Sequence, residues 1–198
     1  VPPSNATILG SASGTLDQAA RWLIARADQS YTDYDLQTLI VPAYQQLGDS
    51  VNLDWFLAIA QNCLETGSMT SFWSLRPQRN PAGLGVTGVW RAADDPPPDP
   101  QGWAFNTQRN RWEVGLSFGD WVQDAIPAHL GRLLAYALRD EQATPAQLDL
   151  IRYALRLRPL PERLRGSAVT YLDLNGRWAT GDQYGEKILD LADRMRRG

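Results

Sequence analysis

The residues whose types and spacing could do chemistry lie in the stretch AQNCLETGSMTSFW, from Ala60 to Trp73. It reads as a helix that stops at Gly67 with a carboxylate, Glu65, in its final turn. The last turn of a helix carries unpaired carbonyls and the negative pole of the helix dipole, so a glutamate there is badly placed for stability. On a wheel of about 100° per residue, Leu53, Phe56, Leu57, Ala60 and Leu64 share one arc. Gln61 and Glu65 run together along its flank, four residues apart. Glu65 then stands at the edge of the buried face, where the wall of a cleft would be. Partial burial and the negative helix end both disfavour the ionised form and raise the carboxyl pKa, the direction a general acid needs. The same residues also read as a solvated surface glutamate tolerated near a helix end.

Other chemistries find little support. His129 is the sole histidine and Cys63 the sole cysteine, which leaves no histidine cluster, cysteine-based metal site or disulfide framework. His129, in IPAHLGRLLAYAL, reads as a helix-packing residue, and Cys63 as a small buried hydrophobe. NPAGLGVTG lacks the Lys-Ser/Thr of a phosphate loop. No cofactor is expected. A net charge of −3 and a pI near 5.1 carry no basic footprint for nucleic acid. Eighteen arginines against one lysine, Lys187, reflect codon usage or heat adaptation rather than a partner. No run approaches the roughly 20 apolar residues that cross a bilayer. Trp73, Trp90, Trp103 and Trp112 lie in or beside a stretch without helical periodicity, where they could stack on sugar rings or simply fill a core.

These groups must be positioned by one domain, since 198 residues at 43% hydrophobic content show no break in composition. Residues 1–14, beginning VPPSNATILG, read as a linker or N-terminal extension without the layout of a signal peptide. Thr15 and Gln18 form a capping box ahead of LDQAARWLIARA, a helix of about three turns. A second helix begins near Asp33, bends at Pro42 and ends at Gly48. The third runs from Asn52 or Asp54 to Glu65 and is ended by Gly67. Gly, Pro and Trp accumulate between Arg76 and Phe118, where GWAFNTQRNRWEVGLSF makes two short strands around Arg109-Asn110. Helices return in DWVQDAIPAHLGRLLAYALRD, capped by Asp120, after Thr144-Pro145, and in DQYGEKILDLADRMRR, capped by Asp182. The expected fold is α+β, mostly α, with a small β-hairpin lobe.

Three separated blocks carry a family resemblance. AIAQNCLETGSMTSFW followed by NPAGLGVTG resembles the glucosaminidases of glycoside hydrolase family 73, a branch of the lysozyme-like folds. Their hallmark is a helix ending in Leu-Glu-Ser/Thr-Gly, then a serine and an Asn- and Gly-rich loop. Here these are Leu64-Glu65-Thr66-Gly67, Ser71, and Asn80 through Gly85. SFGDWVQDAIPAHLGRLLAY looks like the family's Phe/Tyr-x-Ser/Asp-x-x-x-Ser/Ala-Ile helix. GRWATGDQYGEKILDLADRM is similar to its Tyr-Ala-Thr-Asp-x-x-Tyr-x-x-Lys-Ile ending. The blocks keep their order over about Leu53 to Met195.

The resemblance implies a lysozyme-like helical domain that acts as an endo-β-N-acetylglucosaminidase on peptidoglycan or another N-acetylglucosamine-containing glycan. Glu65 would be the catalytic acid, Tyr184 would line the cleft, and Asn80 with the Gly83–Gly88 backbone would floor it. Gln61, Trp73, Trp90 and Trp103 complete the expected substrate contacts. Such a protein would be a monomer, secreted or associated with the cell wall, without membrane insertion. Glycoside hydrolysis normally needs a second carboxylate. The family's second acid sits near the hairpin tip, where Thr107-Gln108 stand here. Glu113 in the return strand, Asp94, Asp95 or Asp99 in ADDPPPDP, or the substrate's own N-acetyl group could take that part. A lysozyme or lytic transglycosylase, and an inactive saccharide-binding domain, are the alternatives.

Overall fold

The computed structural model describes residues 6–198. Helix α1, Leu16–Ile24, opens with the expected capping box: Thr15 accepts from the Gln18 amide, and the Gln18 side chain accepts from the Thr15 amide. The chain ahead of it is not a linker. Thr7 pairs antiparallel with Thr170 and Leu9 with Leu53, while Ile8 is fully buried. An apolar side chain flanked by two backbone pairings docks like a short edge strand, so residues from Ala6 onward belong to the fold. Residues 1–5 of the expected extension lie outside the described residues.

The bend expected at Pro42 takes the form of a π-helical segment, Asp35–Ile40, leading into α2, Val41–Ser50. The same device recurs where Trp121–Ala125 precedes Pro127 in α4, Ile126–Ala137. Proline lacks an N–H and its ring crowds the carbonyl one turn back, which a widened turn relieves. Asp120 caps this second segment as expected, accepting from the amides of Val122 and Gln123. Helix α2 does not end at Gly48. A Cβ there would stand 2.6 Å from the Cβ of Trp55, so this glycine permits close approach of the next helix instead of terminating its own.

Helix α3, Trp55–Thr66, is capped by Asp54, which accepts from the amides of Phe56 and Leu57. It ends at Gly67, left-handed at φ +60°, whose N–H bonds the carbonyl of Cys63. The wheel predicts one buried arc, but every residue from Trp55 to Cys63 is buried. Helices α1, α2 and α6 (Tyr184–Arg197) all pack against α3, so it is a central helix whose partly exposed positions are Leu64 and Glu65 in its last turn. Helix α5, Pro145–Leu157, starts at a second capping box on Thr144 and packs along α4. Asp182 does not cap α6; Gln183 is the boundary residue and makes no side-chain cap. Asn175 ties that end down instead, accepting from the Gly185 amide at 2.7 Å and donating to Glu186 at 2.8 Å.

The hairpin forms around Arg109-Asn110 from β2 (Trp103–Asn106) and β3 (Arg111–Val114). A third strand missed in the sequence, β1 (Trp90–Ala92), adds to the far side of β3, giving the antiparallel order β1-β3-β2. At three residues, between a Gly-rich and a Pro-rich run, β1 carries no readable alternation. The fold is therefore α+β and mostly helical. No helix among the described residues is long and apolar enough to cross a membrane.

Tyr184 owes its position to its neighbour. A Cβ on Gly185 would lie 2.3 Å from the carbonyl oxygen of Tyr171, so the start of α6 can touch that backbone only as glycine. Gly185→Ala is expected to cost about 2 kcal/mol or more of unfolding free energy in urea, against less than about 0.5 kcal/mol for an alanine at exposed Gly181.

Candidate active site

Glu65 opens on a cavity of about 390 Å³. Its walls come from four parts of the chain: the loop at Ala82, Gly83, Leu84 and Val86; Arg132 and Tyr136 of α4; the segment from Arg158 to Leu164; and Arg177, Trp178 and Ala179. The loop is shaped by Asn80. Its amide oxygen accepts from the amides of Ala82 (3.2 Å) and Leu84 (2.8 Å), and its nitrogen donates to the carbonyls of Leu84 (2.8 Å) and Leu116 (2.9 Å). Asn80 is itself fully buried. It holds the floor without forming it, and Gly83, left-handed at φ +61°, comes up beside the carboxylate. A Cβ on Gly83 would lie 3.6 Å from Glu65 Oε2.

Behind Glu65 runs a chain of buried hydrogen bonds. Tyr184 donates its hydroxyl proton to Glu65 Oε1. Gln61 Nε2 donates to the Tyr184 oxygen at 2.8 Å. Gln61 Oε1 faces His129 Nε2 at 3.0 Å, and His129 Nδ1 faces the Tyr44 hydroxyl at 2.9 Å. The directions follow from the chemistry. An amide oxygen can only accept, so Nε2 of His129 carries the proton and Nδ1 accepts from Tyr44. Every proton in the chain then points toward Glu65. His129 is wholly buried, and burial depresses its pKa to about 3, which keeps the imidazole in this single neutral form.

Burial pushes the Glu65 carboxyl above its ordinary pKa, and the neighbouring Tyr184 and Trp178 side chains oppose that rise without cancelling it. Burial and the adjacent Glu65 hold the Tyr184 hydroxyl far above its usual value, so it remains a donor. The Cys63 thiol is buried and pushed up to about 12. It is inert packing.

The structure brings Glu65, Gln61 and Tyr184 together beside the loop that Asn80 holds, and places the remaining sequence candidates elsewhere. Glu113 lies in the sheet, outside the Glu65 cavity. Burial alone would raise its pKa, but Arg111 (2.7 Å), Asn106 (3.2 Å) and Arg109 (3.1 Å) hold it below the usual carboxylate range. Asp94 borders a groove beside the sheet with Trp90 and Arg111. Asp95 pairs with Arg91 at 2.7 Å, and Asp99 accepts from the Gln101 amide at 2.9 Å. Thr107 and Gln108 form the hairpin turn, where Asn106 accepts from the Gln108 amide. Trp73 covers Gly115, where a Cβ would meet its ring at 2.4 Å. Trp103 is half-buried in β2, while Trp90 is exposed beside Arg111. Trp112 packs edge-on against Phe105.

The aromatic residues that do line the cavity are Trp178 and Tyr136, whose rings lie 5.5 Å apart. Trp178 was missed in the sequence, where four other tryptophans drew the expectation, although its place in the GRWATG block was a signal that could have found it. Tyr136 and the arginines had no such signal, because helical spacing does not tell which partly buried position faces a cavity.

No family model and no curated protein matches this chain. Among solved structures, the catalytic domain of the autolysin Auto from Listeria monocytogenes aligns over 91% of this chain and 94% of its own, at 17% identity and a TM-score of 0.43. Autolysin E of S. aureus, in complex with the muropeptide NAM-L-Ala-D-iGlu, aligns over 100% of this chain and 73% of its own, at 10% identity and a TM-score of 0.45.

The depressed pKa of His129 makes the fold acid-sensitive. Between about 3 and the ordinary 6.5 the unfolded chain binds a proton that the folded protein does not. The stabilisation is therefore complete above pH 6.5 and is lost as pH falls toward 3. Urea unfolding across that window should show the slope of stability against pH shrinking by about one proton in His129→Gln. Nitrogen NMR of the wild type should show the Nε2-protonated tautomer throughout the neutral range.

Proposed function

We propose that this protein is a peptidoglycan hydrolase, an endo-β-N-acetylglucosaminidase that cuts the glycan after N-acetylglucosamine with Glu65 as general acid. The observation that carries this reading is a carboxyl at a helix end, raised in pKa by burial, opening on a cavity and held by the Tyr184 hydroxyl. The three sequence blocks that resemble the family 73 glucosaminidases support it independently. Such a protein works outside the membrane, secreted or at the cell wall, as a monomer without a cofactor.

Cleavage begins with proton donation. Glu65 delivers its proton to the glycosidic oxygen as the bond from C1 to that oxygen breaks, and the leaving sugar departs with a hydroxyl. Tyr184 fixes the carboxyl rotamer, and the Gln61–His129–Tyr44 chain fixes Tyr184. Glu65 is the sole carboxylate lining the cavity among the described residues. The electron-deficient C1 is then best met by the carbonyl oxygen of the substrate's N-acetyl group, which closes an oxazolinium ion; water, giving its proton to the now-ionised Glu65, later attacks C1 and reopens the ring. The stereochemical outcome of that route is retention.

The lone carboxylate also suits two related readings. A lytic transglycosylase needs one acid, because a sugar hydroxyl attacks in place of water. A saccharide-binding domain without activity needs none.

Purified protein incubated with peptidoglycan should release fragments ending in reducing N-acetylglucosamine, read by mass spectrometry. Glu65→Gln should lower the rate by roughly 10²–10⁴-fold. Anhydro-muramic ends would instead mean a transglycosylase, and no release across pH would mean a binding domain. The Gln variant should be at least as stable as the wild type at alkaline pH. A raised carboxyl pKa stabilises the fold below the unfolded value and loses that contribution as pH rises through the folded one, a loss glutamine does not suffer.

Activity should fall as pH rises through the Glu65 pKa. Tyr184 lowers that pKa, so Tyr184→Phe should shift the alkaline limb of the pH–rate profile upward while reducing kcat.

A further inference from the structure

The cavity beside Glu65 holds more positive charge than proton donation requires. Arg132 of α4, Arg158 at the end of α5 and Arg177 before α6 all line it, against the single carboxylate of Glu65. None of the three pairs with a carboxylate among the described residues, although Arg109, Arg111, Arg139 and Arg165 all do.

Arg132 is the most informative of them. It is only 8% exposed, yet its Nη1 meets nothing but the backbone carbonyls of Arg158 (2.7 Å) and Pro159 (3.3 Å). Its guanidinium stands 5.6 Å from the Tyr136 ring centroid. Carbonyl dipoles and a ring face orient a guanidinium without neutralising it, and a buried charge lacking a counter-ion is costly. Burial, with Arg158 nearby, pushes the Arg132 pKa down, while Tyr136 opposes that shift. Arg177 is tied through Nη1 to the carbonyl of Asp173, and both Arg158 and Arg177 are exposed.

These cations are not counter-ions for Glu65. What acts on that carboxyl is burial, Tyr184 and Trp178, and its pKa is raised, opposite to the effect of an adjacent guanidinium. The charge of Arg132 and Arg158 is therefore spare, while that of Arg177 is partly shared with the Asp173 carboxylate, whose pKa it helps to lower, in a chain whose net charge is −3.

We propose that Arg132, Arg158 and Arg177 form a subsite for a carboxylate carried by the glycan, so that the cavity selects an anionic amino-sugar polymer over a neutral one. The proposal rests on the reading of this cavity as a saccharide cleft. A guanidinium offers two parallel N–H donors that match the two oxygens of a carboxylate. Buried Arg132 supplies the fixed end of the subsite, and exposed Arg158 and Arg177 supply reach at little desolvation cost. A local positive field of this kind also draws an acidic protein onto an anionic polymer that its net charge would repel.

The test uses the full chain carrying Glu65→Gln, so that ligands survive, with affinities read by calorimetry at about 50 and about 300 mM salt. The probes are chitotetraose, which is neutral; a peptide-free tetrasaccharide of alternating N-acetylglucosamine and N-acetylmuramic acid, whose carboxylates sit on the sugar; and the same tetrasaccharide with stem peptides. Either anionic probe should bind about tenfold or more tighter than chitotetraose at low salt, and the better of the two identifies the carboxylate. Adding Arg158→Gln and Arg177→Gln, both exposed changes, should erase that preference and leave chitotetraose affinity intact. Arg132→Lys, which keeps the charge but loses the fork, should weaken only the anionic probes. Equal affinity for all three probes, or equal losses for neutral and anionic probes in the arginine variants, overturns the subsite while leaving the saccharide reading in place. Binding of none of them overturns both.

Discussion

Helix α3 carries Gln61, Asn62 and Thr66 into the core, and a polar group left unpaired there costs on the order of 1–3 kcal/mol. Each must be met from another part of the chain. Asn62 donates to the carbonyl of Pro81 at 2.7 Å, which anchors the loop that Asn80 shapes. Thr66 bonds back to Asn62 and accepts from the Met69 amide, fixing the turn after the helix. Gln61 bonds His129 on α4 and Tyr184 on α6. The bonding requirements of Gln61 and Asn62 thus set the relative positions of α4, α6 and the 80–84 loop; α4 and that loop wall the cavity, and α6 brings Tyr184 up behind Glu65.

Glu65 sits where these constraints meet and is itself only partly satisfied. A fully solvated glutamate would ionise at its ordinary pKa, and a fully buried one would be driven out or neutralised. Half-burial at the end of α3, with one hydroxyl donor behind it, leaves the carboxyl raised in pKa but still facing open space. The left-handed Gly67 stops the helix two residues later, so the chain turns away before it can cover the carboxylate.

Charge is distributed in opposite ways in the two halves of the molecule. In the sheet, Glu113 is held by two arginines and an asparagine, a closed arrangement that stiffens the hairpin and lowers the carboxyl pKa. In the cavity the carboxyl is raised, and the guanidiniums of Arg132 and Arg177 hydrogen-bond to backbone carbonyls without a carboxylate in salt-bridge contact among the described residues. Two glutamates of the same chemistry are separated by their surroundings into one that stays ionised and one that keeps its proton to higher pH.

Local structure was largely written in the sequence. The capping box at Thr15, the helix start at Thr144-Pro145, the cap at Asp54 (one of two candidates, with Asn52), the cap at Asp120, the stop at Gly67 and the hairpin turn at Arg109-Asn110 are all present, because each depends on residues within a few positions of one another. The candidate carboxyl, the glutamine one turn before it and the tyrosine of the last helix were legible too, from the helix end and from the order of the blocks. Tertiary structure alone decided the rest. It closed α3 on all sides from Trp55 to Cys63, made Gly48 a contact instead of a stop, gave the cap of α6 to Asn175, drew Ala6–Gly14 into the fold and added β1 to the sheet. It also placed Glu113 among arginines, and Arg132, Tyr136 and Trp178 around Glu65. Each of those outcomes depends on which distant segment reaches a position first and what polar group it brings, and no local spacing encodes that.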